Sequence, residues 1–245
     1  MDGRTVFSIT GNDRIDFLQN LVTNDLKRLD DGLVWAALLT PQGKYLIDFF
    51  LLEDGDALLL DVATPFAADL LRRLSMYKLR ADVQIAQTDI TPTRGPGPTP
   101  EGAYSDPRHP DLGWRAYDGR AEEPADWDAI RVLAGIPETG IELIPDQSYP
   151  LELGFERLNG VDFKKGCYVG QEVTARMKHK TELKKGLARV SIEHAVPVGT
   201  EITTPDGKTA GTLFTQSGDK ALAYLRFDRA NGPLSADDAT ITRLP

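Results

Sequence analysis

Short apolar runs separated by turn residues organise the first third of the chain. Leu33 to Leu39 is mostly apolar, Thr40-Pro41-Gln42-Gly43 has turn chemistry, and Lys44 to Leu52 sets Tyr45, Ile47, Phe49 and Leu51 against a second set containing Asp48. A period of two bounded by Pro and Gly predicts a hairpin. Glu53-Asp54-Gly55-Asp56 predicts another turn into a strand over Ala57 to Val62, and Val83 and Ile85 alternate in a further strand. Helical spacing occurs twice in this region. Thr10-Gly11-Asn12-Asp13 reads as a capping box with Thr10 as N-cap, opening a helix with Ile15, Leu18, Val22 and Leu29 on its apolar side. Thr64-Pro65 reads as cap and first helical position of a second helix, with Phe66, Leu70, Leu74 and Tyr77 on one face. Hairpins interrupted by helices predict an antiparallel sheet carrying helices, an α+β fold.

Thr91 to Gly102 holds four prolines and three glycines, which excludes a helix or a central strand and predicts a loop or internal linker. Ala125 to Gly135 reads as a helix with Trp127, Ile130, Leu133 and Ala134 on its apolar face, ended by Gly135 with Pro137 beyond. After Lys185 the pattern becomes short alternating strands closed by turns such as Pro205-Asp206-Gly207-Lys208 and Ser217-Gly218-Asp219-Lys220, which predicts a small β-barrel. The expected division is residues 1–184 as one α+β region, with 91–102 separating two intertwined subdomains, and residues 185–245 as the barrel.

Charge and composition narrow the function classes. A net charge of −9 over 245 residues argues against a direct nucleic-acid binder, which needs a basic footprint. No stretch of 18 consecutive apolar residues occurs, and Met1-Asp2-Gly3-Arg4-Thr5 has no basic-then-apolar leader character. The expectation is a cytoplasmic protein without a transit peptide and without membrane insertion, although a mitochondrial-matrix relative fits the same chain. A single cysteine rules out an internal disulfide and suits a reducing compartment. His109, His179 and His194 show no metal-ligand spacing, and neither a Walker A loop nor G-x-G-x-x-G is present.

The densest chemistry lies in Lys164-Lys165-Gly166-Cys167-Tyr168-Val169-Gly170-Gln171-Glu172. Two glycines predict a tight turn into a helix over Val173 to Met177. Two readings stand for Cys167. It is a thiolate favoured by the helix start and the ammonium groups of Lys164 and Lys165, or it is a packed structural cysteine. The wider window holds Lys164, Lys165, Arg176, Lys178, Lys180, Lys184 and Lys185 against Glu172 and Glu182, so it is either a solvated basic face or an anion site. Glu172 and Gln171 are expected to orient the turn rather than to exchange protons.

Lys165 to Glu172 resembles the signature octapeptide Lys-Gly-Cys-Tyr/Phe-x-Gly-Gln-Glu of the YgfZ family of folate-binding proteins, which includes mitochondrial factors that mature four-iron, four-sulfur proteins. Further similarities lie at Asp16-Phe17-Leu18, Thr23-Asn24-Asp25, Thr40-Pro41-Gln42-Gly43-Lys44, Asp106-Pro107-Arg108, Leu112-Gly113-Trp114-Arg115 and Gly135-Ile136-Pro137. The resemblance implies an aminomethyltransferase-like folate-binding fold. It also implies a tetrahydrofolate site drawing on Asn24, Asp25, Lys165, Gly166, Tyr168, Gly170, Gln171, Glu172, Arg176 and Lys178, with Cys167 as the functional thiol. The implied partners are iron-sulfur scaffold or client proteins. One thiolate cannot hold a cluster by itself, so a transient cluster would be shared with a partner, and no metal site belongs to this chain alone. An effect on tRNA modification would follow downstream from a cluster enzyme. The alternative is folate-dependent aminomethyl transfer. The transferase of that superfamily anchors the pterin through a glutamate in an Arg-Leu-Glu-Ala-Gly segment, and the matching piece Arg131-Val132-Leu133-Ala134-Gly135 carries Leu133 there.

Overall fold

A computed structural model describes residues 3–179 and 182–245. Met1, Asp2, Lys180 and Thr181 lie outside the described residues, and with them one lysine of the basic window. β1 (Arg4–Thr10) begins the chain, followed by α1 (Arg14–Gln19) and a 3-10 turn (Leu26–Asp31). The hairpin β2 (Val34–Leu39) and β3 (Tyr45–Asp54) continues into β4 (Ala57–Ala63), α2 (Thr64–Lys78) and β5 (Gln84–Gln87). These five strands form one antiparallel sheet in the order β2-β3-β4-β1-β5. Both faces are apolar because both are covered. Phe49, Leu51, Leu60 and Val62 pack under Leu70 and Leu74 of α2, while Trp35, Tyr45, Phe50 and Leu59 face Phe155, Leu153 and Ile136.

The long first helix predicted from a Thr10 cap does not form. Thr10 ends β1, and Gly11 takes φ +106° so that its missing Cβ clears Asp82 O, which would otherwise lie 2.0 Å away. Asp13 precedes α1 but accepts from the Asp82 amide rather than capping the helix. Thr23 then draws the chain away, donating to Gly160 O at 2.7 Å and accepting from Ala37 N at 2.9 Å. Tertiary hydrogen bonds thus override a periodicity that local propensity supported. In α2 the cap is Ala63 rather than Thr64, and Tyr77 lies on the exposed side. β1 is a strand that the apolar runs and turns described above do not predict, although Thr5-Val6-Phe7-Ser8-Ile9 has the alternating β-branched texture of one.

The Pro- and Gly-rich 91–102 segment contributes only the three-residue edge strand β6 (Thr93–Gly95). It joins β7 (Tyr104–Ser105) and β8 (Trp114–Ala116) in the order β6-β8-β7. This small sheet carries a buried charge cluster. Asp106 accepts from Arg108 Nη2 at 2.8 Å and Arg115 Nε at 2.9 Å, and Arg115 lies 3.9 Å from the Phe50 ring centroid. α3 (Trp127–Ala134) follows, capped by Asp126 and closed by Gly135 in the left-handed region. Leu133, expected on its apolar face, is half exposed, while Arg131 is buried. The reason is a tertiary partner set. Arg131 donates to Glu142 at 3.2 Å and Thr215 at 2.9 Å, so α3 turns its cation toward the C-terminal strands.

A 3-10 turn (Pro150–Leu153) and α4 (Gln171–Lys178) lead to β9 (Lys185–Ile192). β10 (Glu201–Thr203), β11 (Thr209–Ser217), β12 (Lys220–Arg226), β13 (Leu234–Ala236) and β14 (Ala239–Arg243) complete a closed barrel in the order β10-β11-β12-β9-β14-β13. Its interior is filled by Val190, Ile202, Leu213, Leu225 and Ile241. Phe214 and Leu222 pack outside it on Val132 of α3.

Candidate functional site

Cys167 sits on an exposed arch whose two ends are anchored inside the protein. The segment begins at Asp162, whose amide donates to Thr23 O at 3.0 Å and whose Oδ1 accepts from Lys164 N at 2.6 Å and Lys165 N at 3.1 Å. This Asx turn rotates the Lys165 side chain inward. Its ammonium donates to Gln19 O at 2.7 Å, Val22 O at 2.5 Å and Asn24 O at 2.9 Å, and lies 5.1 Å from the Tyr168 ring centroid. Three carbonyls use all three donors of an ammonium, so none remains for a ligand. Burial pushes the Lys165 pKa down to about 8, with Asp25 and Asp162 opposing. Tyr168 is the second anchor. It is buried against the sheet face that carries Trp35 and Tyr45, and burial raises its phenol to about 12.

Between these anchors Gly166 and Cys167 are exposed. The packed-cysteine reading therefore does not hold. Lys165, expected beside the thiol as an activating or ligand-binding cation, is instead spent on the protein interior. His179, the histidine nearest to Cys167 in sequence, caps the far end of α4 and has no hydrogen bond to Cys167 among the described residues.

Gly170 opens α4 at φ +83°, wedged against the β2–β3 turn. A Cβ there would meet Thr40 O at 2.5 Å and Leu39 Cβ at 2.9 Å. Gly170→Ala is therefore expected to cost about 2–3 kcal/mol through left-handed strain and overlap. Urea unfolding checks this, and a cost below about 0.5 kcal/mol would mean that the wedge is not needed. Gln171 and Glu172 start the helix, but Glu172 reaches along the surface to Arg176 at 2.8 Å rather than back to the turn's amides. Both partners are exposed, so the pair contributes little. Lys178 pairs with Glu156 and lies 5.4 Å from the Phe163 ring centroid. Much of the basic window is thus a solvated face with local partners.

Asn24 and Asp25 lie where the chain leaves α1. Asn24 is buried and donates to Trp35 O at 2.8 Å and Asn159 O at 2.7 Å, while Asp25 caps the 3-10 turn through Lys27 N at 3.1 Å. Asn24 also lines a cleft of about 420 Å³, together with Arg28, Asp31, Tyr104 and Asn159. Arg28 has no carboxylate within ion-pair distance among the described residues, only Asn24 Oδ1 at 3.4 Å. Of the expected folate residues, Asn24 lines this cleft, Lys165, Tyr168 and Gly170 hold the arch in place, and Glu172, Arg176 and Lys178 stand on the outer face of α4. Sequence reasoning missed Arg28 and Tyr104. Arg28 is four residues from Asn24, but the 3-10 turn that brings both to one cleft has no distinctive local signal. Asp48, the polar member of β3, already accepts from three donors, Trp35 Nε1 at 2.8 Å, Tyr45 OH at 2.7 Å and the Thr139 hydroxyl.

Comparisons with known proteins extend over nearly the whole chain. The family described as the CAF17 C-terminal beta-barrel domain matches residues 184–245. The mitochondrial iron-sulfur cluster assembly factor IBA57 of Mus musculus is 31% identical, covering 96% of this chain and 78% of that protein. Its Homo sapiens counterpart is 29% identical, with the same coverage. Both are mitochondrial by name, and neither supports the expected cytoplasmic localisation. The crystal structure of glycine cleavage system aminomethyltransferase T from Bartonella henselae superposes with a TM-score of 0.75, covering 98% of this chain and 82% of that one at 12% identity. The fold is aminomethyltransferase-like, with a six-stranded C-terminal barrel.

Proposed function

The chain belongs to the family of the iron-sulfur cluster assembly factor IBA57, and from that premise we propose that it assists assembly or repair of iron-sulfur proteins, with Cys167 as its functional thiol and tetrahydrofolate as its small-molecule ligand. The observation that carries this reading is the anchored, solvent-exposed arch at Cys167. Among the described residues no group of three or more His, Cys, Asp or Glu is disposed to hold a metal ion. A cluster handled here is therefore cargo, with Cys167 supplying one sulfur and a scaffold or client protein the remaining ligands. The test is complementation of cells lacking the endogenous relative, reading a four-iron, four-sulfur enzyme and its cluster content. Normal cluster enzymes without the protein would refute the assignment.

Support for folate comes from the octapeptide's likeness to the YgfZ proteins, a branch distinct from that of IBA57, and from the chemistry of the Asn24 cleft. Its lining combines an aromatic ring at Tyr104, the amide of Asn159 and the guanidinium of Arg28, while the Asn24 amide is committed to Trp35 O and Asn159 O and shapes the wall. These suit a planar heterocycle linked to a carboxylate tail. A charge-assisted hydrogen bond contributes about 1.5–3 kcal/mol, so Arg28→Ala is expected to weaken tetrahydrofolate binding about 10- to 100-fold. Titration calorimetry with tetrahydrofolate checks this, and unchanged affinity would move the ligand elsewhere. Aminomethyl transfer has weaker support. Leu133 is half exposed on α3 and supplies no carboxylate for a pterin, and the Asp48 carboxylate already has three partners.

A further inference from the structure

We propose that Lys165 is a positioning residue: its buried ammonium fixes the Gly166–Cys167 arch to the chain turn at Gln19–Asn24, and so presents the thiol in one orientation to an incoming partner. This rests on the reading of Cys167 as the functional thiol. The arch has two inward anchors, Lys165 before it and Tyr168 after it, and only Gly166 and Cys167 lie between. Two residues between fixed ends have little freedom, whereas an arch released from the interior at Lys165 keeps on that side only the Asp162 Oδ1 bonds to the Lys164 and Lys165 amides.

The bonding partners make the anchor specific. Gln19 O, Val22 O and Asn24 O belong to a stretch where the chain leaves α1, and their lone pairs converge on one ammonium. A neutral side chain of the same length would leave two buried acceptors and one part-buried acceptor without this donor. A guanidinium, planar and larger, cannot direct three N–H bonds at converging points in the same space. The cradle is thus matched to lysine. Asn24 contributes its carbonyl to the cradle while its side chain lines the 420 Å³ cleft, so the arch and the cleft wall share one residue. Among the described residues, its two chain neighbours aside, Gly166 has no atom within 4 Å of where a Cβ would stand, and its φ lies outside the left-handed range. Neither internal packing nor backbone angle requires a glycine there. Among the described residues, the space beside Gly166, next to Cys167, is clear for a second molecule.

Because the chain holds a single cysteine, a nitroxide can be attached at Cys167 alone and its mobility read by electron paramagnetic resonance. The wild-type protein is expected to give one motionally restricted spectrum. Lys165→Met should shorten the label's rotational correlation time several-fold at temperatures where near-ultraviolet circular dichroism shows an intact fold. Lys165→Arg should give an intermediate value. Lys164→Met, at the exposed neighbour, should leave the spectrum unchanged. If Lys165→Met does not fold, the Arg variant decides, with a wild-type line shape counting against the proposal. Overturning results are a wild-type spectrum in the folded Lys165→Met protein, or equal mobilisation by Lys164→Met, which would make the effect a general sensitivity of the loop. In the complementation assay, Lys165→Arg should restore cluster-enzyme activity in part and Lys165→Met should not. If Cys167→Ser supports assembly in full, the functional reading fails while the line shapes still decide the anchor.

Discussion

Replacing Cys167 by Ser is expected to reduce the activity of a cluster-dependent enzyme to the level of cells lacking the protein, while stability changes by less than about 0.5 kcal/mol. The side chain is exposed, and substitutions at exposed positions without special contacts stay within that range. A core cysteine would behave in the opposite way, losing stability through a poorly partnered buried hydroxyl while function fell only in proportion to folded protein. Two measurements separate the outcomes. Native Cys167 should react with iodoacetamide about as fast as it does in the urea-unfolded chain. Urea midpoints of wild type and the Ser variant should coincide. A protected thiol, or full complementation by the variant, would overturn the assignment of Cys167.

A large loss of stability, by contrast, is expected from Asp106→Asn. Asp106 is buried with Arg108 and Arg115, and the substitution leaves Arg108 without its carboxylate and Arg115 with only Asp61, 3.8 Å away, in a dry environment. Breaking one partner out of a buried ion cluster costs about 3–5 kcal/mol. Desolvation alone would raise the Asp106 pKa, but Arg108 and Arg115 more than offset it and hold the carboxyl well below its usual range. A folded pKa below the unfolded value means that the contribution is complete at neutral pH. It declines as pH falls below about 4, where the unfolded chain takes up the proton first. Urea unfolding at pH 7 and pH 3 should therefore show the gap between wild type and Asp106→Asn narrowing in acid. A constant gap, or a cost under about 1 kcal/mol at pH 7, would show that Asp106 is not the centre of that cluster.

Several features of the candidate site were legible because they are local. Gly170 between Cys167 and Gln171 signals a positive-φ turn into a helix, and α4 begins there. Pro41-Gln42-Gly43 between two apolar runs signals a hairpin, and β2 and β3 pair with Trp35 opposite Phe50. The direction of the Lys165 side chain was not legible. Its neighbours in sequence are Lys164, Gly166 and Cys167, which suggest a cation beside a thiol, whereas its partners are carbonyls more than 140 residues away. The same is true of Arg131, which reads as an ordinary helix cation and is buried against Glu142 and Thr215.

The sequence by itself determined the α+β character, the hairpins of the main sheet, the change to short barrel strands after Lys185, and the Gly-Cys turn. Each depends on backbone angles and on periods of apolar residues within a few positions, which neighbouring residues impose without reference to the rest of the chain. Tertiary structure alone decided which charged groups are inside and which face water. Burying a cation requires partners that satisfy every donor, and for Lys165 those partners are the last carbonyl of α1, at Gln19, and those of Val22 and Asn24 in the turn that follows. Only the folded chain brings a lysine at 165 to carbonyls at 19, 22 and 24, and only then is Cys167 left outside.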